Sequence, residues 1–245
     1  MLISLAVDIG NTNAKVAVFN GDVLVDSKAV VTKSAVATLH KLMVQHGPTH
    51  SIVSNVGATL PSEFMSLLKS KTTLLLLSRK TKLPINVTYR SPTLGMDRLA
   101  LAVLAHDAFP KHNALVVACG TCITYNFVDS HGNFSGGGIS PGLNMRLQAM
   151  HDYTARLPKV KLSDDVPLVG DTTATSMLSG AVLGAVNEIN GFIELYRSRY
   201  GGLNVIFTGG DAPRLEPHLK FRIFARPNAV PEGLQRILQH NIGAL

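Results

Sequence analysis

ALVVACGTCITYNFVDSHGNFSGGGI, Ala114 to Ile139, decides the fold, because it restarts a pattern already used at the N-terminus. It reads as an apolar strand, a Gly/Thr turn at Gly120-Thr121, the strand CITYNFV, the polar turn DSHGN, and a third strand running into glycines. LISLAV (Leu2 to Val7), a Gly/Asn/Thr segment, KVAVF (Lys15 to Phe19), the Asn20-Gly21 turn and DVLVDSKAV (Asp22 to Val30) follow the same order. Asn-Gly between two β-rich runs is a hairpin signal, since both residues tolerate the positive φ that a two-residue turn demands. Each copy therefore predicts a three-stranded meander, and the chain carries an internal duplication.

Outward from the first meander, Leu39, Leu42 and Met43 fit an amphipathic helix before the strand SIVSNV, and Pro61 opens another helix before TLLLL. Beyond the second meander a helical pattern runs from about Thr175 to Tyr200, then a strand NVIFTGG, then a helix around Glu232 to Gln239 approached through Pro227 and Pro231. This alternation predicts an α/β fold of two lobes. With no Ser/Pro/Gly-rich linker, the boundary must lie inside a compact fold. It is expected between Asp107 and Ala114, giving an N-terminal lobe 1–110 and a C-terminal lobe 111–245.

Hydrophobic residues make up 46% of the 245 positions and charged residues 16%, which excludes a disordered chain. MLISLAVDIG lacks a basic segment and its apolar run stops at Asp8, too short for a signal peptide or membrane helix, so a cytosolic protein with no membrane partner is expected. The net charge of +7 comes from Lys and Arg scattered along the chain rather than clustered with aromatics. That distribution speaks against nucleic acid and for anionic small molecules. Cys119 and Cys122 form a CxxC with no second ligand pair for zinc, and it lies between two strands, not at a helix start as a redox CxxC would. Both are expected to act as small apolar residues. No histidine stands at metal-ligand spacing, and none is given a role.

Five segments carry candidate chemistry. DIGNTNAK, Asp8 to Lys15, is a strand-turn-strand, not a P-loop. Gly10 lets backbone approach a phosphate, the amides through Asn11, Thr12, Asn13 and Ala14 can point at its oxygens, Lys15 adds charge and Asp8 is left to hold a metal. An ordinary Asn/Gly turn would use the same residues. Gly120-Thr121 holds the equivalent place in the second copy, and two such turns can clamp one triphosphate. In LGMDR, Asp97 falls in the first turn of an Ala/Leu-rich helix, as a general base or as a helix-dipole partner, with Arg98 free to grip an anion or form an ion pair. SGGGISPG and FTGGDA place glycines where backbone comes close to a ligand or simply turns.

In order along almost the whole chain, DIGNT, a Tyr ahead of LGxDR, a Gly-Thr turn after the middle strand, GGxIxPG, TAxLP (Thr154 to Pro158), GxxT (Gly170 to Thr173) and TGG resemble the type III pantothenate kinases. The resemblance implies two duplicated actin-like (ribonuclease-H-like) lobes with a nucleotide cleft between them. It further implies transfer of phosphate from ATP to pantothenate, the first step of coenzyme A synthesis, with Mg2+ and a homodimer. By the same resemblance Asp8, Gly10, Asn11, Thr12, Asn13, Lys15, Gly120 and Thr121 would bind ATP. Tyr89, Gly95, Met96, Asp97, Arg98 and Thr173 would bind pantothenate, Thr173 across the dimer interface, with Tyr153 to Arg156 lining the same pocket and Asp97 as catalytic base. The chain departs from the family at Ala118, where an Asp binds potassium or ammonium, and at Asn126, where a second Asp is common. Those losses put the cation requirement in question and leave open a non-catalytic, nucleotide-binding regulatory relative; because fold does not fix substrate, a sugar or other small-molecule kinase on the same scaffold is a second alternative.

Overall fold

A computed structural model of the chain describes residues 2–10, 13–31, 34–55 and 62–244. In chain order its elements are β1 (Ile3–Ile9), β2 (Asn13–Asn20), β3 (Val23–Val31), α1 (Ala35–His46), β4 (His50–Asn55), α2 (Ser62–Lys71), β5 (Thr73–Leu76), β6 (Asn86–Val87), α3 (Met96–Ala108), β7 (Asn113–Cys119), β8 (Cys122–Val128), β9 (Asn133–Gly136), β10 (Ile139–Pro141), α4 (Leu143–Asp152), α5 (Thr173–Tyr200), β11 (Leu203–Thr208), α6 (Ala212–Leu215), β12 (Phe224–Ala225) and α7 (Ala229–Asn241). They form two compact units, Met1–Ala108 with Asn228–Leu245, and Phe109–Pro227. The sequence-based division at 110/111 put the last helix in the second lobe; in the structure α7 belongs with the first unit.

The first unit is built on a sheet of order β3-β2-β1-β4-β5, with β1 to β3 an antiparallel meander and β4 and β5 parallel to β1. β1 is central, and four consecutive residues from Ser4 to Val7 are buried, as a strand covered on both faces requires. On one face Leu5, Val7 and Ile9 join Val16 and Val18 of β2 under Leu39 of α1 and Phe64 of α2. On the other, α7 packs on β1 and α3. Ser4, fully buried on β1, donates its hydroxyl to Gln235 Oε1 of α7 at 2.7 Å, and Gln235 Nε2 donates to the Gly21 carbonyl at 2.8 Å. Those bonds dock α7 by satisfying polar groups that would be costly to bury alone.

Gly233 lets α7 cross α3, because a Cβ at that position would sit inside the van der Waals radius of the Ala100 carbonyl oxygen. Gly233→Ala is expected to cost at least about 2 kcal/mol, since a backbone oxygen cannot rotate away from an added methyl. A thermal melt of the variant tests this, and an unchanged midpoint would refute the close crossing.

The second unit repeats the topology. Its strands run β12-β11-β7-β8-β9, with β7 to β9 antiparallel and β11 and β12 parallel to β7, and β10 adds to β8. β7 and β1 have the same length and the same sequence of buried and half-buried positions. The duplication therefore extends from residue pattern to strand order. Val182, Ala185, Val186, Ile189 and Ile193 of α5, spaced at three and four, seal the β7/β11 face through Leu115, Val117, Val205 and Phe207.

Two helix starts differ from the sequence expectation. α5 begins at Thr173, two residues early, because Thr172 and Thr175 form a reciprocal cap, each hydroxyl accepting from the other's backbone N–H. α7 begins at Ala229, so Pro231 lies inside its first turn, where the N–H it lacks has no helical partner to lose. The expected start of α2 at Pro61 falls outside the described residues. Among the described residues, no helix is long and apolar enough to cross a membrane.

Candidate active site

In the first unit the strand register assembles the acidic end of the site. Asp8, next to last on β1, pairs across to Lys15 on β2 and to Ser54 on β4. The turn between β1 and β2 closes with Gly10 N–H donating to the Asn13 carbonyl at 3.0 Å; Asn11 and Thr12, also expected here, lie outside the described residues. Asp8 Oδ1 is enclosed with no hydrogen-bond partner among the described residues. Burial pushes the Asp8 carboxyl up to about 6, the negative charge of Asp97 pushes the same way, and the Ser54 hydroxyl and Lys15 pull it back only in part. Burial likewise lowers the Lys15 ammonium, against the opposing effect of Asp8 and of Glu232 on α7.

Asp97 stands in the first turn of α3, where the helix dipole favours a carboxylate. Its Oδ1 lies so close to the Cα of Gly95 that a side chain at 95 would displace it. Arg98 is 5% exposed, and its Cζ sits 5.5 Å from the Tyr89 ring centroid, so the ring covers the guanidinium as a cation–π partner. Asp8, Lys15, Asp97, Arg98 and Tyr89, far apart in sequence, thus belong to one unit. Glu232 was not singled out from the sequence; a charged residue in the first turn of an amphipathic helix carries no signal of what it faces.

In the second unit the Gly120-Thr121 turn is closed by Gly120 N–H donating to the Cys122 carbonyl at 3.0 Å, the same closure as at Gly10. Glycines of two other segments brace it. Gly142 N–H donates to the Thr121 carbonyl at 3.1 Å, and its Cα packs on the Gly120 and Thr121 carbonyls too closely for any side chain. Gly209, at φ +105°, packs as tightly on the Cys119 backbone, and Asp211 N–H donates to the Cys119 carbonyl at 3.0 Å. Cys119 itself is fully buried and its thiol is pushed up to about 12 by burial. Gly142 of SGGGISPG and Gly209 of FTGGDA are thus needed to let three backbones meet at one turn.

A cavity of about 590 Å³ opens beside Thr121, lined among others by Gln148, Asp152, Tyr153, Lys159 and Lys161. Thr173 is exposed at the start of α5, and Tyr153 is 90% exposed at the end of α4. Ala118 occupies the position on β7 that Asp8 occupies on β1. Buried Asn126 donates to the Val116 carbonyl at 3.3 Å and to the Thr124 hydroxyl at 3.0 Å.

Residues 4–195 match the model of the type III pantothenate kinase family. The chain belongs to that family. A type III pantothenate kinase of Flavobacterium johnsoniae is 40% identical over 97% of this chain and 98% of its own length. Among solved structures, a Campylobacter jejuni protein provisionally described as a Baf family transcriptional activator superposes at a TM-score of 0.63, with 20% identity over 98% of this chain and 99% of that one. An activator of 2-hydroxyisocaproyl-CoA dehydratase from Clostridium difficile, solved with bound ADPNP, gives 0.54 at 12% identity over 99% and 96%. At those identities the likeness is one of fold, and the fold is that of the actin-like ATPases. Membership of the family makes the protein an ATP-using kinase with a small-molecule substrate.

Proposed function

We propose that this chain transfers the γ-phosphoryl group of ATP to the primary hydroxyl of pantothenate, with Asp97 as the base that takes the hydroxyl proton. The observation that carries the assignment is the placing of Asp97: a carboxylate at a helix start, kept clear by Gly95, with buried Arg98 beside it. Phosphoryl transfer asks little covalent chemistry of a protein, so positioning and charge do most of the work. Lys15 holds ATP phosphate oxygens; the Gly120-Thr121 turn of the second unit binds ATP as well. Arg98 and Tyr89 hold pantothenate, the guanidinium matching its carboxylate.

The enclosed Oδ1 of Asp8, without a hydrogen-bond partner among the described residues, fits a divalent cation, and Asp8 is the residue to hold it, with Asp97 adding negative charge. Such an ion supplies charge neutralisation of the phosphates. Ala118 offers no side-chain oxygen to a monovalent cation at the position where the family has its Asp. We derive no step through potassium or ammonium. A homodimer with Thr173 reaching substrate goes with this reading, supported by apolar side chains left 81% and 82% exposed at Leu168 and Val169, a few residues before Thr173. A cytosolic location goes with it too, where ATP is supplied and thiols stay reduced.

The test is ADP release from ATP by the purified protein, with and without pantothenate, in sodium, potassium and ammonium buffers. Pantothenate-dependent release of similar rate in all three is expected. ATP binding without turnover would favour the regulatory relative that the loss at Ala118 leaves open, and turnover on another alcohol in its place would move the substrate assignment. Sedimentation at assay concentration is expected to give a dimer, and a monomer with full activity would remove Thr173 from the substrate site.

A further inference from the structure

Glu188 lies in the middle of α5, between positions that pack into the apolar core of the second unit, and its side chain is only 24% exposed. A carboxylate there carries a desolvation cost, offset by three donors. Tyr125 of β8 donates to its Oε1 at 2.8 Å, Ser140 of β10 donates to the same oxygen, and Arg146 of α4 donates through Nη2 to Oε2. Burial would raise the Glu188 carboxyl; hydrogen bonds from Ser140, Arg146 and Tyr125 outweigh it and hold the group below its ordinary value. Tyr125 is further held by stacking on Phe192 of α5, ring centroids 4.1 Å apart.

Two of the three donors sit on either side of one corner. Ser140 precedes it on β10, Arg146 follows it on α4, and Arg146 Nε also donates to the Pro141 carbonyl at 2.8 Å. From that corner Gly142 N–H reaches the Thr121 carbonyl. A buried ion pair is a poor source of stability, because apolar side chains of similar volume often do as well. What the charged network adds is a fixed position for the corner, and the corner is what the Gly120-Thr121 turn leans on.

We infer that Glu188 is a positioning residue for nucleotide: through Ser140 and Arg146 it fixes the β10–α4 corner that sets the Gly120-Thr121 turn. This rests on the reading that the turn contacts ATP.

The experiment is equilibrium binding of a fluorescent ATP analogue to the full chain and to Glu188→Met, Glu188→Gln and Arg146→Met, together with KM for ATP and for pantothenate. Glu188→Met is expected to weaken nucleotide binding at least fivefold and raise KM for ATP in step, with KM for pantothenate within twofold and the melting temperature nearly unchanged. Glu188→Gln retains an acceptor for Ser140 and Tyr125 and should fall between parent and Met variant. Combining Glu188→Met with Arg146→Met should be no worse than either alone, since both break one clamp. A Met variant that binds nucleotide like the parent overturns the inference. So does one that weakens both substrates equally, which would mark a structural role. If the parent binds the analogue but does not turn over pantothenate, the proposed reaction fails while the Glu188 effect on binding still stands or falls by itself. A parent that binds no nucleotide sinks both.

Discussion

Asp97→Asn is expected to lower kcat for pantothenate phosphorylation by about a thousandfold while leaving ATP binding and the melting temperature close to those of the parent. The amide keeps the size and the helix-start location of the carboxylate, and Gly95 leaves the same room for it. What it lacks is the capacity to accept a proton from the attacking hydroxyl. The substitution also removes one of the two influences that raise the Asp8 carboxyl, the other and larger being burial, so Asp8 should titrate lower in the variant than the value of about 6 in the parent. Two measurements therefore bear on one residue: single-turnover rate with saturating ATP, and the acidic limb of the pH profile of whatever activity remains. Undiminished turnover would remove Asp97 from the proton transfer. A large fall in melting temperature would instead mark it as a structural residue.

The second large effect is expected at Asp8, where activity and stability should move in opposite directions. A carboxyl raised from 3.8 to about 6 binds its proton more tightly in the folded protein than in the unfolded chain. Between those two values the folded state is favoured by the extra proton, so stability falls as pH rises, and above 6 the cost of the buried charge is fully expressed. Asp8→Asn should therefore stabilise the protein at pH 8 by about 1–3 kcal/mol, a gain that disappears below pH 4, while kcat/KM drops at least about a hundredfold for want of the carboxylate. In the parent, kcat/KM should rise with pH through about 6 as Asp8 ionises. Melts at pH 4 and pH 8 alongside the rate profile check both signs. A variant less stable than the parent at pH 8 would show that the charge is already compensated, and activity flat from pH 5 to 8 would detach Asp8 from the reaction.

Both residues were legible in the amino-acid order, for local reasons. Asp8 sits where an apolar strand meets a Gly/Asn/Thr turn, and a hairpin that short leaves little freedom in its register, so Lys15 had to face it. Asp97 sits one residue inside a helix whose Ala/Leu run is unmistakable. The internal repeat was legible because burial on both faces makes β1 and β7 continuous apolar runs, and apolar runs survive as pattern even where identities differ. The ordered motifs from DIGNT to TGG then led to the family.

Glu232 beside Lys15, Gln235 on Ser4 and Gly233 on Ala100 were not legible, and all three come from α7. The amphipathic pattern of that helix says that one face is buried without saying against which sheet. Its sequence neighbours belong to the second unit, so proximity along the chain pointed the wrong way. Glu188 is a related case: one acid among the core positions of a long helix looks like a solvated interruption until Tyr125, Ser140 and Arg146 are seen to converge on it. The sequence by itself determined the duplicated α/β plan, the two Gly-led turns and the acid at the start of α3, since each follows from backbone preference or from periodic burial within a few residues. Only the tertiary structure decided which charges face one another and which glycines let helices and strands touch. Those depend on packing between residues as much as 231 positions apart, and no local preference encodes such distances.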